Sequence, residues 1–165
     1  MKFILLVAIA LLFPAWLVAE EKPEVKTSTE TYKDWQLACV EQGEVKRCEI
    51  KQTLLNKDSK PVSVISLAKK NNNDLLMQIA LPHMLDLSVP VQLDVDGKNQ
   101  ASLPFKYCNS IACFIFVDND TTLFSAFKKG SSGTISTRSV TGEGIKLEFS
   151  LSGFSSAVSN LPSSN

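Results

Sequence analysis

The chain has one histidine among its 165 residues and no excess of either charge. A hydrolase triad would therefore have to use His83. Lysine and arginine together number 17, as do aspartate and glutamate, and no basic stripe suggests a nucleic-acid partner. Beyond its N-terminus the sequence lacks an apolar run of membrane-spanning length, and it lacks an internal repeat. These absences exclude no protein or glycan partner, so they leave binding functions open.

The first residues have the three parts of a secretory signal peptide. Lys2 supplies a positive charge, Phe3 to Val18 is apolar, and Ala19 is a small residue before an acidic pair. An uncleaved membrane anchor is the alternative. The apolar run has roughly 16 residues, short of the ~20 that a spanning helix needs, and Pro14 weakens it further. We therefore expect a signal peptide over residues 1–19, cleavage after Ala19, and a location in the periplasm or outer envelope.

The remaining length suits one domain with one core, since about 146 residues are too few for two typical domains. Residues 20–31 are charged and nearly free of apolar side chains, so we expect a flexible lead-in. Residues 32–162 are predicted to form a single β domain, and residues 163–165 a short tail.

Four cysteines follow the predicted signal peptide, and an even number in an exported chain favours disulfides. Three connectivities are open. We favour the local one, Cys39–Cys48 and Cys108–Cys113, because each pair is close along the chain. Loops this small would contribute roughly 2–3 kcal/mol each. Neither spacing matches the C-x-x-C of a redox site or the paired short knuckles of a zinc site. We therefore predict structural disulfides, with no metal and no cofactor.

Short alternating runs separated by turn signals predict about nine strands. Gln42-Gly43 and Asp96-Gly97 are typical of hairpin turns. Two short helices are predicted, one over Thr121 to Lys129 with Asp120 as its cap and Gly130 as a C′ glycine, and one over Phe154 to Leu161. The pattern predicts an all-β fold, an antiparallel β-sandwich or flattened barrel with two short helices, stapled by two local disulfides.

Candidate catalytic patterns are weak throughout. His83 with Asp86 as orienter would need a serine nucleophile, and the stretch from Gly130 to Gly133 is not the G-x-S-x-G elbow. His83 is more simply a partly buried histidine beside a strand end. Asp94-Val-Asp96-Gly97 resembles the start of a calcium loop but fails at loop positions six and twelve, so we expect a turn. Most aromatic residues are core candidates: Trp35, Phe105, Phe114, Phe116, Phe124, Phe127, Phe149 and Phe154.

Several ordered motifs together resemble the invasion-associated locus B family. They are Trp35-x₃-Cys39 with Cys48-Glu49-Ile50-x-Gln52, Leu81-Pro82-His83-Met84-Leu85 with Val91-Gln92-Leu93-Asp94-Val95-Asp96, Leu103-Pro104-Phe105-x₂-Cys108-x₄-Cys113, Leu123-Phe124-x-Ala126-Phe127-Lys128-Lys129-Gly130 and Ser150-Leu151-Ser152-Gly153-Phe154-x₂-Ala157. The match extends from about Tyr32 to Leu161. The sequence departs from the family at Ala112, where glycine is more common, and at His83-Met84, where a Leu-Gly-type pair is common.

The resemblance implies a small exported bacterial β-protein without recognised catalytic residues, from a family named after a locus linked to host-cell entry. We therefore predict a non-enzymatic envelope protein that binds a protein or surface component and contributes to host-cell invasion or virulence. The alternative is a periplasmic hydrolase or thiol-redox enzyme that uses His83 or the pair Cys108 and Cys113. The sequence does not identify the partner-binding residues, and it leaves peripheral outer-membrane association and the oligomeric state open.

Overall fold

The computed structural model describes residues 24–70 and 73–163, so the predicted signal peptide lies outside the described residues. Eleven strands and two helices form in these ranges. In chain order they are β1 (Val25–Tyr32), β2 (Trp35–Gln42), β3 (Val45–Leu55), β4 (Pro61–Lys69), β5 (Leu75–Leu81), β6 (Val91–Val95), β7 (Lys98–Leu103), β8 (Tyr107–Cys108), β9 (Cys113–Asp118), α1 (Thr121–Lys129), β10 (Ser132–Arg138), β11 (Gly144–Ser150) and α2 (Phe154–Asn160). Neither helix is long and apolar enough to cross a membrane.

The strands form two antiparallel sheets that enclose one core. The larger sheet has seven strands in the order β1-β2-β3-β4-β5-β9-β8, and the smaller has four in the order β11-β10-β6-β7. Every ladder between named strands is antiparallel. The architecture is an open sandwich, which confirms the predicted all-β fold with two short helices and two local disulfides.

Alternation along the central strands builds the core. In β5 the residues Leu75, Met77, Ile79 and Leu81 are buried, while the residues between them are half-buried on the other face. This period of two is what a strand with one core face requires. Each fully buried aliphatic side chain contributes about 1.5–3 kcal/mol to the hydrophobic effect.

The two helices complete the core with aromatic side chains. The Asp120 carboxylate accepts a hydrogen bond from the backbone N–H of Leu123 at 2.9 Å, which confirms the predicted cap of α1. Phe127 of α1 packs edge-on against Phe154 of α2, with 5.3 Å between ring centroids. Phe154 in turn contacts Trp35 of β2 at 5.1 Å. Through these ring contacts the two helices pack against β2 of the larger sheet and extend the core.

Gly130 ends α1 for a different reason than the sequence indicated. Its φ of −80° is not left-handed, so it is not a C′ glycine of the predicted kind. A Cβ at this position would lie 2.4 Å from a Val95 methyl carbon and 3.0 Å from one of Leu151. Gly130 is therefore needed because the chain passes close to the core there.

The prediction of a flexible lead-in over residues 20–31 is wrong from Val25 onward. Residues 25–32 form β1, paired with β2 from Val25 opposite Gln42 to Tyr32 opposite Trp35. The alternating threonines have β propensity, but β1 is exposed on both faces up to Thr31. Backbone hydrogen bonds rather than burial hold the strand in place. A pattern of hydrophobic residues in the sequence therefore does not predict it.

The sequence predicted about nine strands, and the described residues form eleven, among them the exposed β1 and the two-residue β8. The hairpin at Asp96-Gly97 is confirmed. Both residues have positive φ, 48° and 76°, as the favoured two-residue hairpin turn requires.

A buried glutamine joins the two sheets. The side-chain amide of Gln52 on β3 donates hydrogen bonds to the backbone carbonyls of Asp34 and Ser150, at 2.9 Å and 3.1 Å. Its carbonyl oxygen accepts from the Ser150 N–H at 2.9 Å. The Trp35 indole N–H also donates to the Ser150 carbonyl, at 2.9 Å. The last residue of β11 is thus bound to the larger sheet by two side chains.

Candidate functional site

Both predicted local disulfides are present, and the described residues contain no free cysteine. Cys39 and Cys48 face each other across the β2–β3 ladder and are buried. Cys108 and Cys113 face each other at the start of the β8–β9 ladder, where Cys108 is exposed and Cys113 buried. The second disulfide closes a tight turn and fixes where β9 enters the sheet. We call residues 109–112 the clip turn.

His83 is exposed, not partly buried as the sequence suggested. Its Nε2 lies 2.7 Å from the backbone carbonyl oxygen of Asn109. This contact connects the segment after β5 to the clip turn.

Asp86 does not orient His83. One carboxylate oxygen accepts from the Ser88 hydroxyl at 2.6 Å, and the other pairs with the Arg138 guanidinium at 2.8 Å. The hydrogen bond from Ser88, followed by that from Arg138, holds the pKa of the Asp86 carboxyl below its usual value. Asp86 therefore stays ionised and connects its loop to β10.

The serines between Gly130 and Gly133 serve the fold. Gly130 ends α1, and Ser132 and Gly133 begin β10, so this stretch connects a helix to a strand. The Asp96 carboxylate accepts from the backbone N–H groups of Ser131 and Ser132 at 3.1 Å and 3.0 Å. The bonds from Ser132 and then Ser131 lower the pKa of Asp96. The structure does not bring His83, Asp86 and these serines together as a triad.

Of the stretch predicted to be a turn, Asp96 and Gly97 form the turn of the β6–β7 hairpin, whereas Asp94 and Val95 belong to strand β6. Within residues 24–70 and 73–163, no group of three or more histidine, cysteine, aspartate or glutamate side chains is placed to hold a metal ion.

The clip turn presents an apolar side chain to solvent. The Asn109 side-chain oxygen accepts from the backbone N–H groups of Ile111 and Ala112 at 2.8 Å and 3.1 Å, and the Asn109 N–H donates to the Ala112 carbonyl at 3.0 Å. Ile111 projects from this turn with 79% of its surface exposed, while Ala112 is buried. Disulfide and hydrogen bonds together hold Ile111 in one place.

An open, mainly apolar groove of about 290 Å³ lies beside Ile111. Its side walls come from β4 and from the end of β5. Its apolar lining includes Val62, Val64, Ala80, Pro82 and Ile111.

An aromatic row continues from this groove across the outer face of the larger sheet. Ala80 lies opposite Phe114 in the β5–β9 ladder, and Phe114 lies opposite Tyr107 in the β9–β8 ladder. The Tyr107 ring is 5.0 Å from that of Phe114 and 6.1 Å from that of Phe116. Tyr107 is half exposed, and the two phenylalanines are partly exposed.

The groove and the row together form one apolar surface, which we call the clip surface: Val62, Val64, Ala80, Pro82, Tyr107, Ile111, Phe114 and Phe116. The prediction that Phe114 and Phe116 belong to the core is wrong. Cys113, Ile115 and Val117 are the buried residues of β9, and alternation therefore turns the phenylalanines outward. That alternation was readable from the sequence; the exposure of Ile111 was not, because it depends on the turn geometry.

Met84 lies directly after His83 and is another exposed apolar residue, 70% accessible. Its φ of 67° lies in the left-handed region, which disfavours residues with a side chain. The resemblance to the family implies a glycine at this place, and a left-handed φ suits glycine best. This chain has an exposed methionine there instead.

The arrangement is suited to binding rather than to moving protons. An exposed apolar patch, part of which lies on a turn closed by a disulfide, can bury apolar side chains of a partner, and Tyr107 adds a hydroxyl at its edge. These features define the chain as a small disulfide-stapled β-sandwich with an outward apolar surface.

Comparison with known proteins identifies the family. The family model described as invasion associated locus B (IalB) protein matches residues 35–162, most of the chain, and the chain belongs to this family. Invasion protein B homologs from Brucella abortus strain 2308 and from B. abortus biovar 1 strain 9-941 are each 24% identical over 137 residues, covering 82% of this chain and 79% of theirs. The crystal structure of invasion associated protein b from Bartonella henselae has the same fold, with a TM-score of 0.74, 22% identity, and coverage of 81% of this chain and 94% of that one.

Proposed function

We propose that this chain is an exported bacterial envelope protein that binds a partner protein through the clip surface and catalyses no reaction. The observation that carries the proposal is Ile111, an exposed aliphatic side chain on a turn closed by the Cys108–Cys113 disulfide, beside an apolar groove. A contiguous apolar patch on a protein surface marks an interaction site more often than chance exposure does.

Preorganisation supports the same conclusion. A turn fixed by a disulfide and by the Asn109 hydrogen bonds loses little conformational freedom on binding. A handful of residues, with tyrosine among the enriched types, supply most of the binding energy in typical interfaces. We therefore expect Tyr107, with the exposed Ile111 beside it, to be the energetic centre of the contact.

Export is proposed from the N-terminal sequence and from the two disulfides, which form in oxidising compartments. The names of the relatives refer to invasion, and we propose that the partner interaction contributes to host-cell invasion. The alternative enzymes are disfavoured by geometry. The Asp86 carboxylate is paired with Arg138 instead of His83, and Cys108 and Cys113 are joined on a strand pair instead of at a helix start.

Site-specific photo-crosslinking in the bacterium tests the proposal. A diazirine-bearing branched aliphatic amino acid, which keeps the apolar anchor, replaces Ile111 in one variant. As a matched control, it replaces Val45, an exposed apolar residue at the β2–β3 hairpin. We expect a discrete adduct with one envelope protein from position 111 and none from position 45. Combining the probe at 111 with Tyr107→Ser should reduce the adduct at least about tenfold, because an aromatic anchor is lost.

Two results would contradict the proposal. One is the absence of any adduct from position 111 in cells in which the protein is folded and oxidised. The other is an adduct of equal yield from position 45, or one that persists in the Tyr107→Ser background.

A further inference from the structure

β1 ends the larger sheet and leaves one backbone edge open. Within the described residues it pairs with β2 alone, over eight residue pairs without a register shift. An open edge presents N–H and C=O groups that can pair with another strand. β1 has no proline, glycine or bulge between Val25 and Tyr32 to prevent this.

The hairpin geometry shows which residues face outward. The two-residue turn Lys33-Asp34 makes the flanking pair, Tyr32 and Trp35, a hydrogen-bonded pair, and bonded pairs then alternate along the ladder. The even-numbered residues of β1 therefore direct their backbone groups to β2. The backbone groups that point outward belong to Val25, Thr27, Thr29 and Thr31.

Two such edges can pair antiparallel about a two-fold axis. Residues whose backbone groups point outward must then lie opposite one another. With Ser28 on the two-fold axis, Thr27 of one copy pairs with Thr29 of the other. The same register places Lys26 opposite Glu30 twice, on one face of the sheet. Moving the axis to Thr27 would place Glu24 opposite Glu30, and moving it to Thr29 would place Lys26 opposite Tyr32 and Glu30 opposite Ser28. Of these three registers, the one centred on Ser28 pairs opposite charges.

We propose that this protein forms a symmetric dimer through antiparallel pairing of β1 with β1 of a second copy, with Lys26 of each copy opposite Glu30 of the other. Opposite charges and paired threonines are favourable directly across strands. Lys26 already lies opposite Glu41 in its own sheet, but the Glu41 carboxylate forms an ion pair with Lys46 at 2.5 Å. The Glu30 carboxylate accepts the Tyr32 hydroxyl at 2.7 Å, which orients it along β1.

The other described sheet edges are less suitable. β8 has only two residues, and the β6–β7 ladder shifts register between Leu93 and Asp94. On β11, Gln52 occupies the N–H and C=O of Ser150, which closes one end of that edge. β1 is the long edge that remains accessible.

The small size of the contact predicts a weak dimer. One pair of strands buries less than the roughly 1,200–2,000 Å² of a stable interface. We therefore expect a reversible dimer, with dissociation near micromolar concentration, that weakens as salt screens the two exposed ion pairs.

Exchanging the charges of Lys26 and Glu30 tests the register. Sedimentation velocity over a concentration series of the oxidised chain measures how much dimer forms. Lys26→Glu and Glu30→Lys should each be monomeric, with the dimer dissociation constant raised about tenfold or more, because like charges then face each other twice. A mixture of the two variants should form a heterodimer, since every charge then faces its opposite. The double variant Lys26→Glu/Glu30→Lys should regain the homodimer.

A backbone variant provides an independent test. Thr29→Pro removes an outward N–H and leaves the ladder to β2 intact, so it should abolish the dimer while near-ultraviolet circular dichroism and both disulfides stay unchanged. A wild-type chain that is monomeric throughout the series overturns the proposal. So does a dimer that survives Thr29→Pro, or charge variants that do not recombine on mixing, because the contact would then lie elsewhere.

Discussion

Gln52 shows how a single polar side chain can decide the geometry of a sandwich. Its amide satisfies the N–H and C=O of Ser150 on β11 and the C=O of Asp34 in the β1–β2 turn. Buried polar groups without partners cost free energy, so the site strongly prefers an amide of this length. Gln52 is one of the residues that carry the resemblance to the family, and these hydrogen bonds give a physical reason for a glutamine there.

Gln52→Leu should lower the free energy of unfolding by about 1–3 kcal/mol, because the substitution leaves the Ser150 N–H without its partner. Gln36→Leu is the matched control, since Gln36 is exposed on the neighbouring strand β2. Urea denaturation followed by circular dichroism measures both. Equal effects of the two substitutions would show that the Gln52 hydrogen bonds do not stabilise the contact between the two sheets.

At the residue scale, the sequence showed which catalytic patterns were weak more reliably than it showed where individual side chains lie. It disfavoured a triad at His83, and the structure places the Asp86 carboxylate on Arg138. It did not predict the contact of His83 with Asn109 or the exposure of Ile111, because both depend on how two loops meet. Loop contacts between distant segments leave no periodic signal in a sequence.

At the scale of elements, two physical signals separate what was predictable from what was not. β5 alternates because one face is buried, and its pattern was readable. β1 buries almost nothing and was mistaken for a lead-in, since its ladder to β2 is made by the backbone. The cap of α1 was predicted from Asp120, whereas Gly130 was assigned the wrong conformation because close packing and left-handed φ both select glycine.

Gly153, which precedes α2, combines both of these constraints. Its φ is +90°, and a Cβ there would lie 1.9 Å from the carbonyl oxygen of Tyr32. Gly153→Ala should therefore lower the free energy of unfolding by at least about 2 kcal/mol.

The matched control is Gly144→Ala, because a Cβ at Gly144 meets nothing within 4 Å. We expect that variant to stay within about 0.5 kcal/mol of the original in the same denaturation series. A Gly153→Ala variant of unchanged stability would mean that the chain before α2 adjusts freely.

At the scale of the whole molecule, the open edge and the clip surface lie at opposite ends of the larger sheet. The strand order begins with β1 and ends with β8, which carries Tyr107. The proposed dimer would join two seven-stranded sheets edge to edge and place the two clip surfaces at its outer ends. Two binding surfaces on one particle raise the apparent affinity for a partner that is itself clustered.

Processing of the whole chain is tested by intact mass. Protein recovered from the bacterial envelope should have a mass that begins at Glu20, and an alkylating reagent should add nothing before reduction and four labels after it, one for each cysteine. A mass that retains residues 1–19 would contradict cleavage after Ala19. Labelling before reduction would contradict closed disulfides in the cell.

The buried indole of Trp35 makes the contact between the two sheets detectable by fluorescence. The sequence has two tryptophans, and the other, Trp16, lies in the segment predicted to be removed. In a chain that begins at Glu20, all tryptophan fluorescence would come from Trp35, which is fully buried and donates to the Ser150 carbonyl of β11. Its emission would shift to longer wavelength when water reaches the ring, so the intrinsic fluorescence of the protein reports separation of the two sheets without any added label.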